Sequence, residues 1–165
     1  MQFSVGVEYS LHCLLHMATL EKGKTVGIKA LATYQGVSES YLSKMFTKLT
    51  KEGLIESVPG VRGGYALAKE PKEISFWDVV VAIEGRQKFF QCDEIRQREA
   101  HLDPNHLPDA YCKKPCLIKT VMWEGEQKMQ DFLSQKTLAW LFEQVEDKVS
   151  QEDLQRERDW FEKFI

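Results

Sequence analysis

The chain has 165 residues, of which 43% are hydrophobic and 28% are charged, and its formal net charge at pH 7 is −3. This composition is typical of a globular protein with one domain, or one domain and an appendage, and it excludes an intrinsically disordered chain. No apolar run reaches the length of a membrane-spanning helix. The acidic total argues against a broadly non-specific nucleic-acid binder without excluding a local basic patch.

Three helices are predicted in the first third of the chain. Residues 3–20 predict a helix, because apolar residues recur there at steps of three and four. Residues 26–36 predict a second helix that Gly36 closes as a C-terminal cap, and residues 37–53 predict a third with Ser38 as its N-cap. The second and third helices, with the tight turn between them, are typical of a helix-turn-helix.

A β-hairpin is predicted next, in residues 54–70. Two short strand-like runs there enclose proline and glycine residues that favour a turn. A helix-turn-helix followed by a hairpin is the pattern of a winged helix. Ser75 and Asp78 form a capping pair in the next predicted helix, residues 74–85. We therefore assign residues 1–85 to a winged helix-turn-helix DNA-binding domain.

The second half of the chain begins with an irregular segment. Residues 86–116 contain three cysteines, two histidines and three prolines with little periodicity, and we interpret them as a cysteine-containing sensor loop. A helical pattern resumes in residues 117–149, which we expect to form dimerisation helices. Residues 150–165 predict a C-terminal helical extension. The predicted fold class is mainly α, a winged helix-turn-helix domain with a long dimerisation helix.

A family resemblance is carried by one continuous segment, residues 31–85, LATYQGVSESYLSKMFTKLTKEGLIESVPGVRGGYALAKEPKEISFWDVVVAIEG. This segment closely resembles the Rrf2 family of bacterial transcription regulators, and the resemblance extends over residues 3–145. It implies a winged-helix homodimer that binds double-stranded DNA at an operator with two-fold symmetry, and no enzymatic activity. It also implies, as in many members, sensing through an iron–sulfur cluster.

Three other stretches resemble the redox-sensing branch of that family: GVEYSLHC (6–13), CDEIRQRE (92–99) and CKKPC (112–116). In that branch a [2Fe–2S] cluster is held by two cysteines, one histidine and one glutamate. Carried over to this chain, the ligands are Glu8, His12, Cys92 and Cys112, with Cys116 as the alternative to Cys112. Glu8 and His12 share a helix face, which on its own is more often a solvated surface pair.

Zinc and a thiol switch are alternatives to the cluster. Two cysteines, a histidine and a carboxylate also suit tetrahedral Zn²⁺. Cys116 begins the long predicted helix, where it suits a resolving thiol in a regulator without a metal. A thiol oxidoreductase using Cys112 and Cys116 is a weaker alternative, because the CxxxC spacing differs from the thioredoxin spacing and no βαβ pattern accompanies it.

For the fourth cysteine and the other three histidines we predict only whether they are buried or exposed. Cys13 is expected to pack as a small hydrophobic residue, and His16, His101 and His106 are expected to be polar surface residues. The first twenty residues lack the basic start of a signal peptide, so we expect a cytoplasmic protein, in which cysteines stay reduced.

The predicted DNA-binding residues lie in the recognition helix and the wing. Hydroxyls and lysines near the start of a recognition helix suit contacts to phosphates and base edges. In the wing, arginine suits a narrow minor groove and neighbouring glycines let the backbone approach DNA closely. The residues are Ser38, Ser40, Tyr41, Lys44 and Lys48 in the helix, and Arg62, Gly63 and Gly64 in the wing.

Overall fold

A computed structural model of the chain describes residues 2–21, 23–60, 63–86 and 88–164. These residues form two compact units. The winged unit comprises the described residues up to Arg86 together with those from Leu133 onward. The cysteine unit comprises the described residues between these two segments, as far as Phe132.

Within the described residues the secondary structure is mostly helical, with one two-stranded sheet, which confirms the predicted fold class. Short 3₁₀ turns lie at Pro71–Glu73 and Ile95–Arg98. In chain order the other elements are α1 (Val5–Ala18), α2 (Ile28–Gln35), α3 (Glu39–Lys51), β1 (Ile55–Val58), β2 (Gly64–Leu67), α4 (Phe76–Glu84), α5 (Asp109–Cys112), α6 (Leu117–Ser134), α7 (Leu138–Glu146) and α8 (Gln151–Glu162).

The helix-turn-helix is formed by α2 and α3. Gly36 ends α2 with a φ of 66°, in the left-handed region that glycine adopts without strain. Ser38 is the N-cap of α3, and its hydroxyl accepts a hydrogen bond from the backbone N–H of Tyr41 at 3.4 Å. Both predicted caps are confirmed, and together they set the tight turn between the two helices.

The wing is the antiparallel hairpin β1–β2, with Ile55 opposite Leu67. Its second strand also pairs with the chain that precedes α2, because Val26 and Tyr65 exchange backbone hydrogen bonds of 3.0 and 2.9 Å. At Gly64 an added Cβ would lie 2.6 Å from the Val26 carbonyl oxygen. Glycine is therefore required there, and the close approach ties the wing to the helix-turn-helix.

The predicted capping pair at the start of α4 is confirmed. The Ser75 N–H donates to an Asp78 carboxylate oxygen at 2.8 Å, and the Asp78 N–H donates to the Ser75 hydroxyl at 3.1 Å. The chain just before α4 also pairs with the chain just before α7, where the Leu138 N–H donates to the Ile74 carbonyl at 2.9 Å. This pairing holds α7 within the winged unit.

One hydrophobic core fixes the orientation of α3. At Gly6 in α1 an added Cβ would lie 2.6 Å from the sulfur of Met45, so glycine allows α1 to pack closely on α3. Each large core side chain contributes about 1.5–3 kcal/mol by leaving water. The largest fully buried side chains are Phe46, Phe161, Leu14, Leu31, Leu42, Leu49, Ile55, Ile74, Leu138, Val26, Val79 and Cys13.

The cysteine unit contains α5 and most of α6, and α6 buries none of its described residues. Several of its apolar side chains are exposed: Leu117 (80%), Ile118 (68%), Val121 (66%), Met122 (47%), Trp123 (42%) and Phe132 (59%). Among the helices that the structure describes, none is long and apolar enough to cross a membrane.

Candidate functional site

The first half of α3 presents an exposed polar surface. Ser38 and Ser40 are exposed, and their hydroxyl oxygens lie 2.9 Å apart. Lys44 is exposed and makes no hydrogen bond or ion pair to another described residue. Tyr41 is half-buried, and its ring meets the ring of Tyr9 edge-on at 6.0 Å. The two serines and Lys44 therefore present polar groups at the surface, while Tyr41 is partly held by α1.

Lys48 and the wing glycines have contacts or close neighbours within the protein. The Lys48 ammonium donates a 2.6 Å hydrogen bond to the carbonyl of Ile83 in the last turn of α4, so it ties α3 to α4. An added Cβ at Gly63 would collide with the carbonyl oxygen of Val58 in β1, so glycine is needed for the hairpin itself. Arg62, the predicted minor-groove contact, lies outside the described residues.

Glu8 and His12 lie one turn apart on α1, and both are exposed. Neither makes a hydrogen bond or an ion pair with another residue that the structure describes. Cys13, by contrast, is fully buried, and burial raises the pKa of its thiol to about 12, which confirms that it packs as a hydrophobic residue. The two predicted ligands in α1 are thus uncommitted donors.

His16 is buried, with 8% exposure, so its prediction as a surface residue is wrong. His101 and His106 are exposed, as predicted. Their side chains are 69% and 84% exposed, and each lies beside a carboxylate close in sequence. His16 differs because its partners come from α2 and α8, which are distant in sequence.

Cys92 and Cys116 are neighbours in the cysteine unit. The side chain of Cys92 lies close enough to that of Cys116, just before α6, to help lower the pKa of the Cys116 thiol. The pKa of Cys116 is held below its ordinary value by the backbone N–H of Lys119, although partial burial opposes the shift. The N–H of Ile118, the Cys92 contact and the charge of Arg96 add to the lowering.

Cys112 ends α5 with its side chain exposed, and it makes no hydrogen bond to another described residue. The loop around it is held by Arg96, which donates to the Glu94 carboxylate at 2.9 Å and to the Lys114 carbonyl at 2.6 Å. Gln97 donates to the Tyr111 carbonyl at 2.8 Å. No sequence pattern indicates this role of Arg96, because its main-chain partners leave no side-chain pattern to read.

The candidate metal ligands are divided between the two units. Glu8 and His12 belong to the winged unit, whereas Cys92, Cys112 and Cys116 belong to the cysteine unit. No group of three or more His, Cys, Asp or Glu side chains that could hold a metal ion is found in the described part of the chain. The donor types do fit the predicted group, since thiolates and imidazole both bind iron–sulfur clusters and the same donors also suit zinc.

Comparison with known proteins gives concordant results. The model of the Rrf2 family, described as iron-dependent transcriptional regulators, matches residues 3–144. YffB of Lactococcus lactis, whose name describes an HTH-type transcriptional regulator, is 36% identical over 88% of this chain and 90% of its own length. The HTH-type transcriptional regulator NsrR of Shouchella clausii is 32% identical over 93% of this chain and 91% of its own. The structure of IscR from T. potens is 26% identical, with a TM-score of 0.67 over 94% of this chain and 96% of its own.

Proposed function

This chain belongs to the Rrf2 family of transcriptional regulators, and on that basis we propose that it is a homodimeric repressor or activator whose operator affinity follows the redox state of a [2Fe–2S] cluster. It is a DNA-binding transcription regulator and not an enzyme. The observation that carries the proposed sensor is the pair Glu8 and His12, exposed one turn apart on α1 without partners among the described residues.

DNA reading falls to the exposed start of α3. The hydroxyls of Ser38 and Ser40 and the ammonium of Lys44 contact phosphates or base edges. These groups are exposed in the N-terminal half of α3, the helix that such domains insert into the major groove. The wing, with Arg62, Gly63 and Gly64, contacts the neighbouring groove. Lys48 and Tyr41 contribute less, because each has a contact inside the protein.

The proposed ligands are Glu8, His12, Cys92 and Cys112, with Cys116 as the alternative thiolate. When bound, a [2Fe–2S] cluster supplies a reversible one-electron change of charge. Imidazole in place of thiolate removes negative charge from such a site and raises its reduction potential. The reduced cysteines that this requires suit a cytoplasmic protein.

Homodimerisation is proposed to use the exposed apolar face of α6. Ile118, Val121 and Phe132 lie on this face and are more than half exposed. Gly125 lies between them, and an added Cβ there would meet no described atom within 4 Å. Glycine in a helix costs about 1 kcal/mol relative to alanine, so its place in this face suits the close approach of a second α6 helix. Residues 117–149 are accordingly proposed as the dimerisation segment.

An absorption spectrum tests the sensor. Protein isolated without oxygen is expected to show visible charge-transfer bands, and Glu8→Ala and His12→Ala are expected to shift these bands and the reduction potential without removing them. His106→Ala is the control, because this histidine is also exposed but is not one of the proposed ligands. If both α1 variants keep the wild-type spectrum and redox response, Glu8 and His12 are not ligands. If the protein is colourless and contains stoichiometric zinc, the bound metal is zinc and not an iron–sulfur cluster.

A thiol switch is the second candidate, favoured by the contact between Cys92 and Cys116. Oxidation by hydrogen peroxide would join the two sulfur atoms, with both thiol protons and two electrons passing to the peroxide to give two molecules of water. The switch would act on the segment that leads into α6. A colourless, metal-free protein whose operator affinity changes on peroxide treatment would favour this candidate over the cluster.

Lys44 is expected to supply DNA affinity without stabilising the fold. Lys44→Ala removes one phosphate contact, so the slope of log K against log salt should become shallower by about one unit. The melting temperature should not change, because Lys44 has no described partner. Lys51→Ala is the matched control, since it removes the same charge from the last turn of α3. An unchanged salt slope in Lys44→Ala would remove Lys44 from the interface.

A further inference from the structure

The C-terminal helix α8 is attached to the winged unit by a cluster of aromatic rings. Phe161 is 2% exposed, and its ring centroid lies 4.7 Å from that of Tyr34 in α2 and 5.4 Å from that of His16 in α1. The ring of Trp160 lies 4.9 Å from Tyr34. An isolated helix of about 12 residues is marginal in water, so α8 depends on this docking for its structure.

One carboxylate in α8 binds both of these other helices. Glu157 Oε1 lies 2.5 Å from His16 Nδ1, and the two side chains are only 20% and 10% exposed. The side chain of Tyr34 hydrogen-bonds to the same carboxylate. Glu157 therefore joins the C-terminal end of α1 to α2, whereas the other end of α1 packs on α3 near Gly6.

The pKa values agree with an ionised carboxylate between two donors. Burial alone would raise the pKa of Glu157, but the hydrogen bonds from His16 and Tyr34 and the nearby charges of His16 and Arg158 hold it below its ordinary value. The pKa of Tyr34 is raised by burial and by the charge and hydrogen bond of Glu157. Tyr34 thus donates to Glu157 in its neutral form.

The positions of His16 and Tyr34 give this junction its importance. On α1, His16 lies one turn after His12 and two turns after Glu8, on the same helix face. On α2, Tyr34 lies two residues before Gly36, where the chain turns into α3. Glu157 thereby connects the helix that bears the proposed metal ligands to the helix-turn-helix.

We propose that Glu157 is a positioning residue, which with His16 and Tyr34 makes α8 a lock that sets the orientation of α1 relative to the helix-turn-helix. While α8 is docked, α1 and α2 move together, so that a change at Glu8 and His12 reaches α3. When the lock is broken, α8 detaches and the two helices move separately. The lock itself rests on the contacts of α8, and only its role in redox coupling rests on the proposed function.

The test uses the full chain with Glu157→Gln, which keeps the size of the side chain, and Tyr34→Phe, which removes one hydroxyl. Glu152→Gln is the control, because among the described residues this exposed residue of α8 pairs only with Arg156 on the same helix. Hydrogen exchange of residues 151–162 in the metal-free protein is expected to accelerate about tenfold or more in Glu157→Gln and severalfold in Tyr34→Phe. Exchange in the control should match wild type.

Operator affinity gives the second measurement. In metal-free protein, Glu157→Gln is expected to weaken operator binding about fivefold or more, while circular dichroism loses at most the helical signal of α8. In cluster-loaded protein, the ratio of oxidised to reduced affinity is expected to fall toward one from a wild-type coupling of about 5–150-fold.

Wild-type exchange in α8 for both variants, or unchanged operator affinity of the metal-free Glu157→Gln protein, would overturn the lock. Faster exchange with an unchanged oxidised-to-reduced ratio would overturn its coupling role and leave α8 as packing alone. If the protein binds no cluster, the proposed sensor fails, and the metal-free measurements still decide the lock.

Discussion

Replacing Cys92 with alanine is expected to abolish the visible absorption of the cluster and the redox response of operator binding. Thiolates are the firmest ligands that the proposed set contains, and the set has only two of them. Cys92 is half-buried beside Cys116, and alanine at this position removes one of the two thiolates of the proposed set. The measurement is absorption and iron content of anaerobically purified protein, with operator affinity measured in oxidised and reduced samples.

The comparison of Cys112→Ala with Cys116→Ala decides the second thiolate. The family resemblance favours Cys112, which is exposed and uncommitted at the end of α5, whereas Cys116 already contacts Cys92. We expect Cys112→Ala to lose the cluster and Cys116→Ala to retain most of it, so each variant is the control for the other. The reverse result would assign Cys116 as the ligand. Full iron content in Cys92→Ala would exclude the proposed ligand set altogether.

Charging the apolar face of α6 is expected to produce monomers that no longer bind the operator. The double variant Val121→Glu and Phe132→Glu places two carboxylates in a face that is 66% and 59% exposed at these positions. A partner helix cannot bury them without the cost of desolvating the charges. Loss of the second binding module should weaken operator affinity by roughly 100-fold or more, because bivalent binding adds that much to a single half-site.

Sedimentation measures the oligomeric state, and a titration with palindromic DNA measures the affinity. Gln127→Glu is the control, since it adds a carboxylate to the polar side of α6, where Gln127 already hydrogen-bonds Asp131. This control should remain dimeric. A wild-type protein that sediments as a monomer at micromolar concentration, or a charged double variant that remains a dimer, would exclude this face as the interface.

The helix-turn-helix and wing could be predicted because short stretches of chain carry their signals. Gly36 and Ser38 act through their own backbone and their immediate neighbours, so the residue types alone identify the caps. Ser75 and Asp78 are likewise three residues apart, and their reciprocal hydrogen bonds need no distant partner. The burial of Cys13 was predicted from its residue type, because a free cysteine usually packs as a small hydrophobic residue.

The sequence is a poorer guide to the surroundings of residues whose partners are distant along the chain. His16 was expected at the surface, yet it is buried against Glu157, which lies 141 residues away. Lys48 is predicted as a phosphate contact, and no sequence pattern indicates that its ammonium also donates to the Ile83 carbonyl, 35 residues away. Main-chain carbonyls appear in no sequence pattern, and a histidine on a helix does not reveal which later helix will cover it.

The sequence by itself determined the winged-helix class, the tight turn between α2 and α3, and the residue types available as metal donors, because caps, turns and apolar periodicity act over a few residues. Only the tertiary structure decided which of these side chains already have partners within the protein. It buried His16 under α8, left Glu8 and His12 exposed without described partners, and brought Cys92 to Cys116. These outcomes depend on which surfaces pack together, and packing joins residues whose separation along the chain carries no local signal.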